Sequence, residues 1–240
     1  MTLVDSIRAK IRGRGFDVVR YKPRFEHPID LLGLLVRDEL TRDPDFVFVQ
    51  VGANDGELDP LRPLVLRHQL RGLLIEPLPD AFARLQQTYA DQPGLMFENC
   101  AIAEHDGEQV MYRIRADAPV PIHMHLMAGF NREHLSAATD VPGIDGYIER
   151  IIVPAHRLAS VIHRHGFTRI SLLMVDTEGY DAQVVEAALA DGLRPANIMY
   201  EHCHLSHMTQ LACTQHLKRC GYRFVENGMD TYAVLDRPTD

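Results

Sequence analysis

A short apolar run that ends in a glycine-bracketed turn constrains the fold of this chain more than any other feature. Residues 46–51, Phe-Val-Phe-Val-Gln-Val, are apolar at five of six positions, and Gly52 and Gly56 bracket the turn that follows. Such a run predicts a buried strand. A Cβ in the turn would block tight turning and the approach of a ligand. Apolar residues at near-helical spacing then predict a helix over 58–70. Strand, glycine turn and helix in this order present backbone amides to a nucleotide-like ligand in doubly wound sheets.

A carboxylate at the end of the next predicted strand strengthens this interpretation. Residues 72–75, Gly-Leu-Leu-Ile, lead into Glu76, 24 positions after Gly52. An acidic residue at about this distance is placed to accept hydrogen bonds from ribose hydroxyls. The alternative is an ordinary turn at Gly52 and a solvated strand end at Glu76. Because Gly-Ala-Asn-Asp-Gly lacks the three glycines of the dinucleotide fingerprint, the pattern favours an adenosine ligand without a pyrophosphate.

Composition excludes several classes of protein. The chain has 240 residues, 46% of them hydrophobic, which is enough for one full core. No apolar run approaches the ~20 residues of a membrane span. The four cysteines form no C-x-x-C pair, and the N-terminus lacks a signal-peptide pattern, so we expect reduced thiols in a cytoplasmic protein. With a net charge of −8, we expect nucleic acids and anionic membrane surfaces to be poor partners.

Alternating strand and helix patterns predict an α/β fold with a doubly wound, mainly parallel sheet. Helices over 3–20 and 29–41 form an N-terminal extension, residues 1–45, before a domain at 46–240. A closing hairpin at 222–225 and 231–235 adds an antiparallel edge. The other predicted strands are 95–101, 109–115, 151–153, 170–176 and 198–201, and the other predicted helices are 79–89, 156–165, 181–190 and 205–220.

Residues 116–150 interrupt this rhythm with prolines and glycines at short intervals. An insert of this length without regular structure is typical of a lid or a substrate-binding loop. The alternatives are a plain surface loop and an interface of a homo-oligomer. Polar and aromatic contacts for a substrate would come from His123, His125, Phe130, Asn131, Arg132 and His134.

From about Phe46 to Leu235 the chain resembles the FkbM-type family of S-adenosylmethionine-dependent methyltransferases, within class I. The most specific motif is Asp176-Thr-Glu-Gly-Tyr-Asp181. Four further stretches carry the resemblance: Val51-Gly-Ala-Asn-Asp-Gly56, Ile75-Glu-Pro77, Asn99-Cys-Ala101 and Tyr200-Glu-His-Cys-His-Leu205.

The resemblance implies a Rossmann-like sheet of seven strands in the order 3-2-1-4-5-7-6. It also implies methyl transfer from S-adenosylmethionine, most often to a hydroxyl of a small metabolite such as a polyketide, sugar or glycolipid precursor of secondary metabolism. The ribose would bind Glu76. The glycine loop, Gly52, Ala53, Asn54, Asp55 and Gly56, would hold the methionine part together with Asp176, and the adenine edge would meet Asn99, Cys100 and Ala101. A non-catalytic binding module on the same fold is an alternative. A short-chain oxidoreductase is excluded, because it needs a Tyr-x-x-x-Lys pair that the chain lacks.

If the acceptor is an alcohol, a base near the strand ends removes its proton. Asp176, Glu178 and His202 are the candidates: His202 has the most suitable ordinary pKa, and Asp176 is expected nearest the methyl group. Asp176 has a second interpretation, in which it caps the turn before helix 181–190 and touches only the amine of the cofactor.

A divalent metal is a further candidate cofactor, in a metal-assisted O-methyltransferase of a diol-type acceptor. Asp176 and the pair Glu201-His202 end the strands where such a cation would lie. The alternative is that these histidines merely belong to a chain with 13 of them. Strand alternation would separate Cys203 from His202 and His204, so we expect no compact His-Cys-His chelate there.

Overall fold

The computed structural model describes residues 29–121, 124–125, 127–137 and 141–236. Contacts divide the chain into two compact units, Met1–Asp30 and Leu31–Asp240, and the second unit holds all the elements below. The helix predicted over 3–20 lies outside the described residues. The division into an N-terminal extension and a methyltransferase domain stays a prediction.

Helices and strands alternate along the second unit as the sequence predicts. The helices are α1 (Leu31–Arg42), α2 (Arg62–His68), α3 (Pro79–Thr88), α4 (Arg132–Ala137), α5 (Leu158–Arg164), α6 (Asp181–Ala190) and α7 (His207–Arg219). The strands are β1 (Val47–Val51), β2 (Arg71–Ile75), β3 (Leu95–Glu98), β4 (Ala101–Ile102), β5 (Gly107–Ile114), β6 (Ala128–Gly129), β7 (Ile148–His156), β8 (Leu172–Val175), β9 (Asn197–Glu201), β10 (Tyr222–Asn227) and β11 (Asp230–Leu235). None of the helices within the described ranges is long and apolar enough to cross a bilayer.

Seven strands form the main sheet in the order β10-β11-β9-β8-β1-β2-β3. β11 alone runs opposite to the other six strands, so its pairs with β9 and β10 are antiparallel. Numbered among themselves, these strands follow the order 3-2-1-4-5-7-6, so the prediction is confirmed. Val51 of β1 pairs with Ile75 of β2 and Val175 of β8. The residues that follow these three strands therefore leave the sheet at one edge.

Alternate residues of the central strands build a core on each face of this sheet. Val49, Leu73 and Leu173 face α5, α6 and α7. Phe48 and Leu74 belong to the opposite cluster with α1, α2 and α3. Burial of each such side chain stabilises the fold by about 1.5–3 kcal/mol.

A second sheet, which the sequence did not predict, lies beside the first, with the order β4-β7-β5-β6. The strand predicted over 95–101 breaks after Glu98, and Ala101 and Ile102 join this second sheet. The strands predicted over 109–115 and 151–153 are longer than expected and pair with each other, from Gly107 with Ala155 to Ile114 with Ile148. The chain between them also holds regular structure, namely β6, α4 and a 3-10 helix, Ile144–Tyr147. The prediction that residues 116–150 lack regular structure is therefore wrong.

Candidate active site

The glycine turn after β1 brings two strand ends into contact. Gly52 has φ +82°, and a Cβ there would lie 1.7 Å from the backbone oxygen of Asp176. The N–H groups of Gly52 and Ala53 both donate to the Ile75 carbonyl at 3.0 Å. Thus only glycine allows β1 and β8 to end this close together. Residue 52 must be glycine because the protein's own backbone at Asp176, rather than a ligand, lies this close to it.

Glu76 is buried at the end of β2, with 4% of its surface exposed. One carboxylate oxygen, Oε2, accepts the Asn54 N–H at 2.8 Å, and Oε1 accepts the Leu78 N–H at 2.8 Å. The solvated strand end considered above is therefore wrong. Burial raises the pKa of Glu76 to about 7, although these two hydrogen bonds lower it. Each oxygen keeps a second lone pair with which to accept a ligand hydroxyl.

Asn99 holds the turn after Glu76. Its Nδ2 donates to the backbone carbonyls of Glu76 at 2.8 Å and Pro77 at 3.2 Å. Among the described residues, Cys100 and Ala101 line the cleft next to this turn and Asn99 does not. The side chain of Asn99 thus shapes the site from behind.

A cleft opens beyond the carboxyl ends of β1, β2 and β8. Its near wall combines the strand ends with the two following turns. The residues of this wall are Val51, Gly52, Asn54, Glu76, Pro77, Leu78, Cys100, Ala101, Asp176, Thr177, Glu178 and Tyr180. Ala53, Asp55 and Gly56 instead line an adjoining cleft of about 620 Å³, which shares Gly52, Asn54, Asp176 and Glu178 with the first.

The second sheet supplies the far wall of the main cleft, through Ile102, Met111 and residues 128–130. The ring of Phe130 meets that of Tyr180 edge to face, with centroids 4.8 Å apart. Part of the segment 116–150 therefore faces the cleft. Sequence reasoning missed Leu78, Ile102, Met111 and Tyr180; of these, only Tyr180 had a signal, its place in the Asp176–Asp181 motif.

The other substrate contacts predicted in this segment bind the protein itself. Nδ1 of His125 lies 3.1 Å from the Arg115 carbonyl, and Arg132 pairs with Asp145 at 3.1 Å. Asn131 Oδ1 accepts the backbone N–H groups of Glu133 and His134, at 2.9 and 3.2 Å, at the start of α4. His123 lies outside the described residues.

Asp176 faces both clefts directly after β8. More than a third of its surface is exposed, but the walls of the cleft limit its hydration and carboxylates surround it. Burial, then the charges of Glu201 and Glu178, raise its pKa to about 8. The N–H groups of Thr177 and Gly179 are capped by Asp181, at 3.1 Å each. Closing the turn before α6 is therefore the role of Asp181, while Asp176 lines the cleft.

Glu178 links the cleft to a group of histidines. Its backbone adopts φ +54°, a conformation uncommon outside glycine. Its Oε2 lies 3.3 Å from Nε2 of His204, which is 3.5 Å from Oε2 of Glu201. Burial raises the pKa of Glu178, and the charge of His204 lowers it. The ring of His134 packs edge to face on His204, with centroids 5.2 Å apart.

His202 turns away from this group. Its Nδ1 lies 3.0 Å from Oγ1 of Thr231, and its side chain lines a separate surface cleft with Gln210 and Glu226. Of the three candidate bases, the structure thus brings Asp176 and Glu178 together on the main cleft and places His202 elsewhere.

The strand alternation expected across residues 202–204 is wrong, because β9 ends at Glu201. A turn follows, in which the Leu205 N–H donates to the His202 carbonyl at 3.0 Å. The turn brings one donor atom each of Glu201, Cys203 and His204 within 4.8 Å of one another. In the described part of the chain, donor atoms gather there rather than at the predicted set of Asp176, Glu201 and His202.

Comparison with known proteins identifies a methyltransferase family. The family model described as the FkbM methyltransferase domain matches residues 50–224, well over half of the chain. A search of curated proteins gives no significant match.

Three solved structures illustrate the more distant similarity. Precorrin-6y C5,15-methyltransferase from Geobacter metallireducens GS-15 is 10% identical with a TM-score of 0.40, over 90% of this chain and 91% of that one. Human methyltransferase 10 domain containing protein is 10% identical with a TM-score of 0.43, over 96% and 97%. Aeropyrum pernix fibrillarin, crystallised with natively bound S-adenosyl-L-methionine, is 10% identical with a TM-score of 0.41, over 85% and 74%. At such identities these similarities transfer no residue role or substrate to this chain.

Proposed function

The chain belongs to the FkbM methyltransferase family, and on that premise we propose that it transfers the methyl group of S-adenosylmethionine to a hydroxyl oxygen of a small metabolite. The observation that carries this proposal is the cleft at the ends of β1, β2 and β8, where a buried Glu76 faces the ligand space. A carboxylate with unused lone pairs at the end of β2 suits the two hydroxyls of a ribose.

Other residues that line the cleft would bind the remaining parts of the cofactor. Cys100 and Ala101 give an apolar edge for the adenine, and the turn from Gly52 to Asn54 meets the methionine part. S-adenosylmethionine carries positive charge on its sulfonium and its ammonium groups. Asp176 stands where β8 meets the glycine turn, and its negative charge favours that end of the cofactor.

Transfer to an alcohol needs alignment and one base. The acceptor oxygen attacks the methyl carbon, the carbon–sulfur bond breaks, S-adenosylhomocysteine leaves, and the hydroxyl proton passes to a side chain. Glu178 is the best placed of the three candidates, since it lines the cleft while the charge of Asp176 serves the cofactor. Asp176 is the second. His202 is the third, because its Nδ1 lies at Thr231.

The lining of the cleft narrows the acceptor to a neutral or cationic molecule. Met111, Phe130 and Tyr180 offer apolar and aromatic surface, while Asp176 and Glu178 carry the charge. A polyanion such as RNA would meet these carboxylates, and none of the described residues that line the cleft is basic. An uncharged hydroxylated metabolite fits this combination best.

Calorimetric titration with S-adenosylmethionine and S-adenosylhomocysteine tests the cofactor, and labelled S-adenosylmethionine offered with a panel of hydroxylated acceptors tests the reaction. Each acceptor is paired with its deoxy analogue and its amino analogue. We expect saturable binding of both cofactor forms and label only in hydroxylated acceptors. Absence of binding to folded protein would overturn the proposal. Label in the amino analogues alone would overturn O-methylation, and binding without any transfer would indicate the non-catalytic module.

A further inference from the structure

The turn after β9 brings together three different kinds of metal-binding atom. A carboxylate oxygen of Glu201, the sulfur of Cys203 and a ring nitrogen of His204 lie within 4.8 Å of one another. Sulfur and imidazole nitrogen together with one oxygen favour zinc and similar transition ions over Mg²⁺ or Ca²⁺. We propose that Glu201, Cys203 and His204 form a binding site for a zinc-type divalent ion.

Two buried polar atoms beside this set support the proposal. In the described part of the chain, Nε2 of His134 is buried without a hydrogen-bond partner. Oε2 of Glu178 is likewise buried, and it has only the 3.3 Å approach to His204. A buried polar atom without a hydrogen bond costs about 1–3 kcal/mol. An ion with bound water next to His204 would supply hydrogen-bonding groups to these two atoms.

The negative charge around these residues also favours a bound cation. Glu178 and Glu201 flank a single imidazole, at 3.3 and 3.5 Å from its Nε2. The carboxylates of Asp176 and Asp230 interact electrostatically with Glu201 as well. A divalent cation among several carboxylates reduces their mutual repulsion.

The position of the site suggests what the ion does. Three protein ligands leave a fourth position for water or for a substrate oxygen, as in catalytic zinc sites. The site borders the main cleft, because Glu178 contacts His204 and lines that cleft. Provided that the proposed methyl transfer is correct, the ion would assist loss of the hydroxyl proton from an acceptor in the adjoining cleft.

Cobalt absorption spectroscopy tests the site without relying on activity. Metal-free full-length protein is titrated with Co²⁺, whose bond to a thiolate gives a charge-transfer band in the near ultraviolet, and Zn²⁺ is then added as a competitor. We expect one equivalent of Co²⁺ to produce the band and Zn²⁺ to remove it. Cys203→Ser should abolish the band, and His204→Ala should weaken Zn²⁺ binding by about 10–100-fold or more.

The matched controls are Cys220→Ser, at the end of α7, and His216→Ala, within α7. Neither residue belongs to the set of three donors, so both variants should bind Co²⁺ and Zn²⁺ like the wild type. Because Cys203 is exposed, its serine variant should fold, and circular dichroism checks each protein. If His204→Ala does not fold, Glu201→Gln takes its place. Absence of a thiolate band, or equal affinity in Cys203→Ser and the wild type, would overturn the site. Calorimetry with S-adenosylmethionine on the metal-free protein tests the proposed function separately, because Glu76 and Gly52 lie outside the metal set.

Discussion

Replacing Gly52 with alanine should damage the fold much more than the same change at a glycine of equal conformation. Gly192 has φ +84° and Gly52 has φ +82°, but a Cβ at residue 192 meets nothing within 4 Å. Gly192→Ala therefore isolates the cost of a left-handed backbone for an L-residue, about 1–2 kcal/mol. The difference between the two variants then measures the contact of β1 with β8.

The geometry sets the size of that difference. The Cβ of Gly52→Ala would lie 1.7 Å from the Asp176 oxygen, and real contacts stay above 3.0 Å, so the strand ends must separate by at least 1.3 Å (3.0 − 1.7). That separation strains the hydrogen bond from the Asp176 N–H to the Val51 carbonyl, now 2.9 Å, worth about 1 kcal/mol. Backbone shifts forced by overpacking add about 1–3 kcal/mol.

In total, Gly52→Ala should lose about 3–6 kcal/mol of unfolding free energy, against about 1–2 for Gly192→Ala. Urea denaturation followed by circular dichroism measures both. The Gly52 variant, where it remains folded, should also fail to bind S-adenosylmethionine, while the Gly192 variant binds normally. Equal losses in the two variants would show that β1 and β8 do not meet as described.

Four further predictions concern the cleft. Glu76→Ala should lower the free energy of unfolding by about 2–4 kcal/mol, since the buried Leu78 N–H and the half-buried Asn54 N–H lose their acceptor. It should also weaken cofactor binding by at least about tenfold, and an unchanged dissociation constant would remove Glu76 from the ribose site. Because the pKa of Asp176 is raised to about 8, the free protein holds a proton there at pH 7 that the cationic cofactor displaces. Calorimetry in two buffers should show proton release and tighter binding as the pH rises from about 7 to 9, and Asp176→Asn should lose both effects. With an accepted hydroxylated substrate, Glu178→Gln should lower kcat by about 100-fold or more while His202→Ala changes it less than about threefold; the reverse order would make His202 the base. The amide hydrogen-exchange rates of residues 127–137 should fall when S-adenosylhomocysteine and acceptor are both bound. Rates that neither ligand changes would show that this segment does not cover the substrate.

The strands of the main sheet could be predicted because their signals are local, whereas their order was what the family resemblance implied. β1, β2, β8 and α6 each have an apolar pattern bounded by glycine, proline or an acidic residue, and the structure places each within two residues of its predicted bounds. Small errors came from capping. The helix predicted from residue 205 starts at His207, because the Ser206 side chain accepts the Thr209 N–H at 3.1 Å and so caps the helix there.

The second sheet could not be predicted, because its pairings join distant segments. Gly107 pairs with Ala155, and nothing in either sequence pattern specifies that partner. The structural role of Asn99 was missed for the same reason, because its amide donates to a turn more than 20 residues earlier. The cluster at Glu201, Cys203 and His204 depends on the residue at which β9 ends. A strand continued by three residues would have separated these side chains.

A crystal structure with S-adenosylhomocysteine tests the central claim most directly. We expect the ligand in the cleft beyond β1, β2 and β8, with its ribose hydroxyls on the Glu76 carboxylate and its adenine against Cys100 and Ala101. A ligand found in another cleft, or bound here without contact to Glu76, would contradict it.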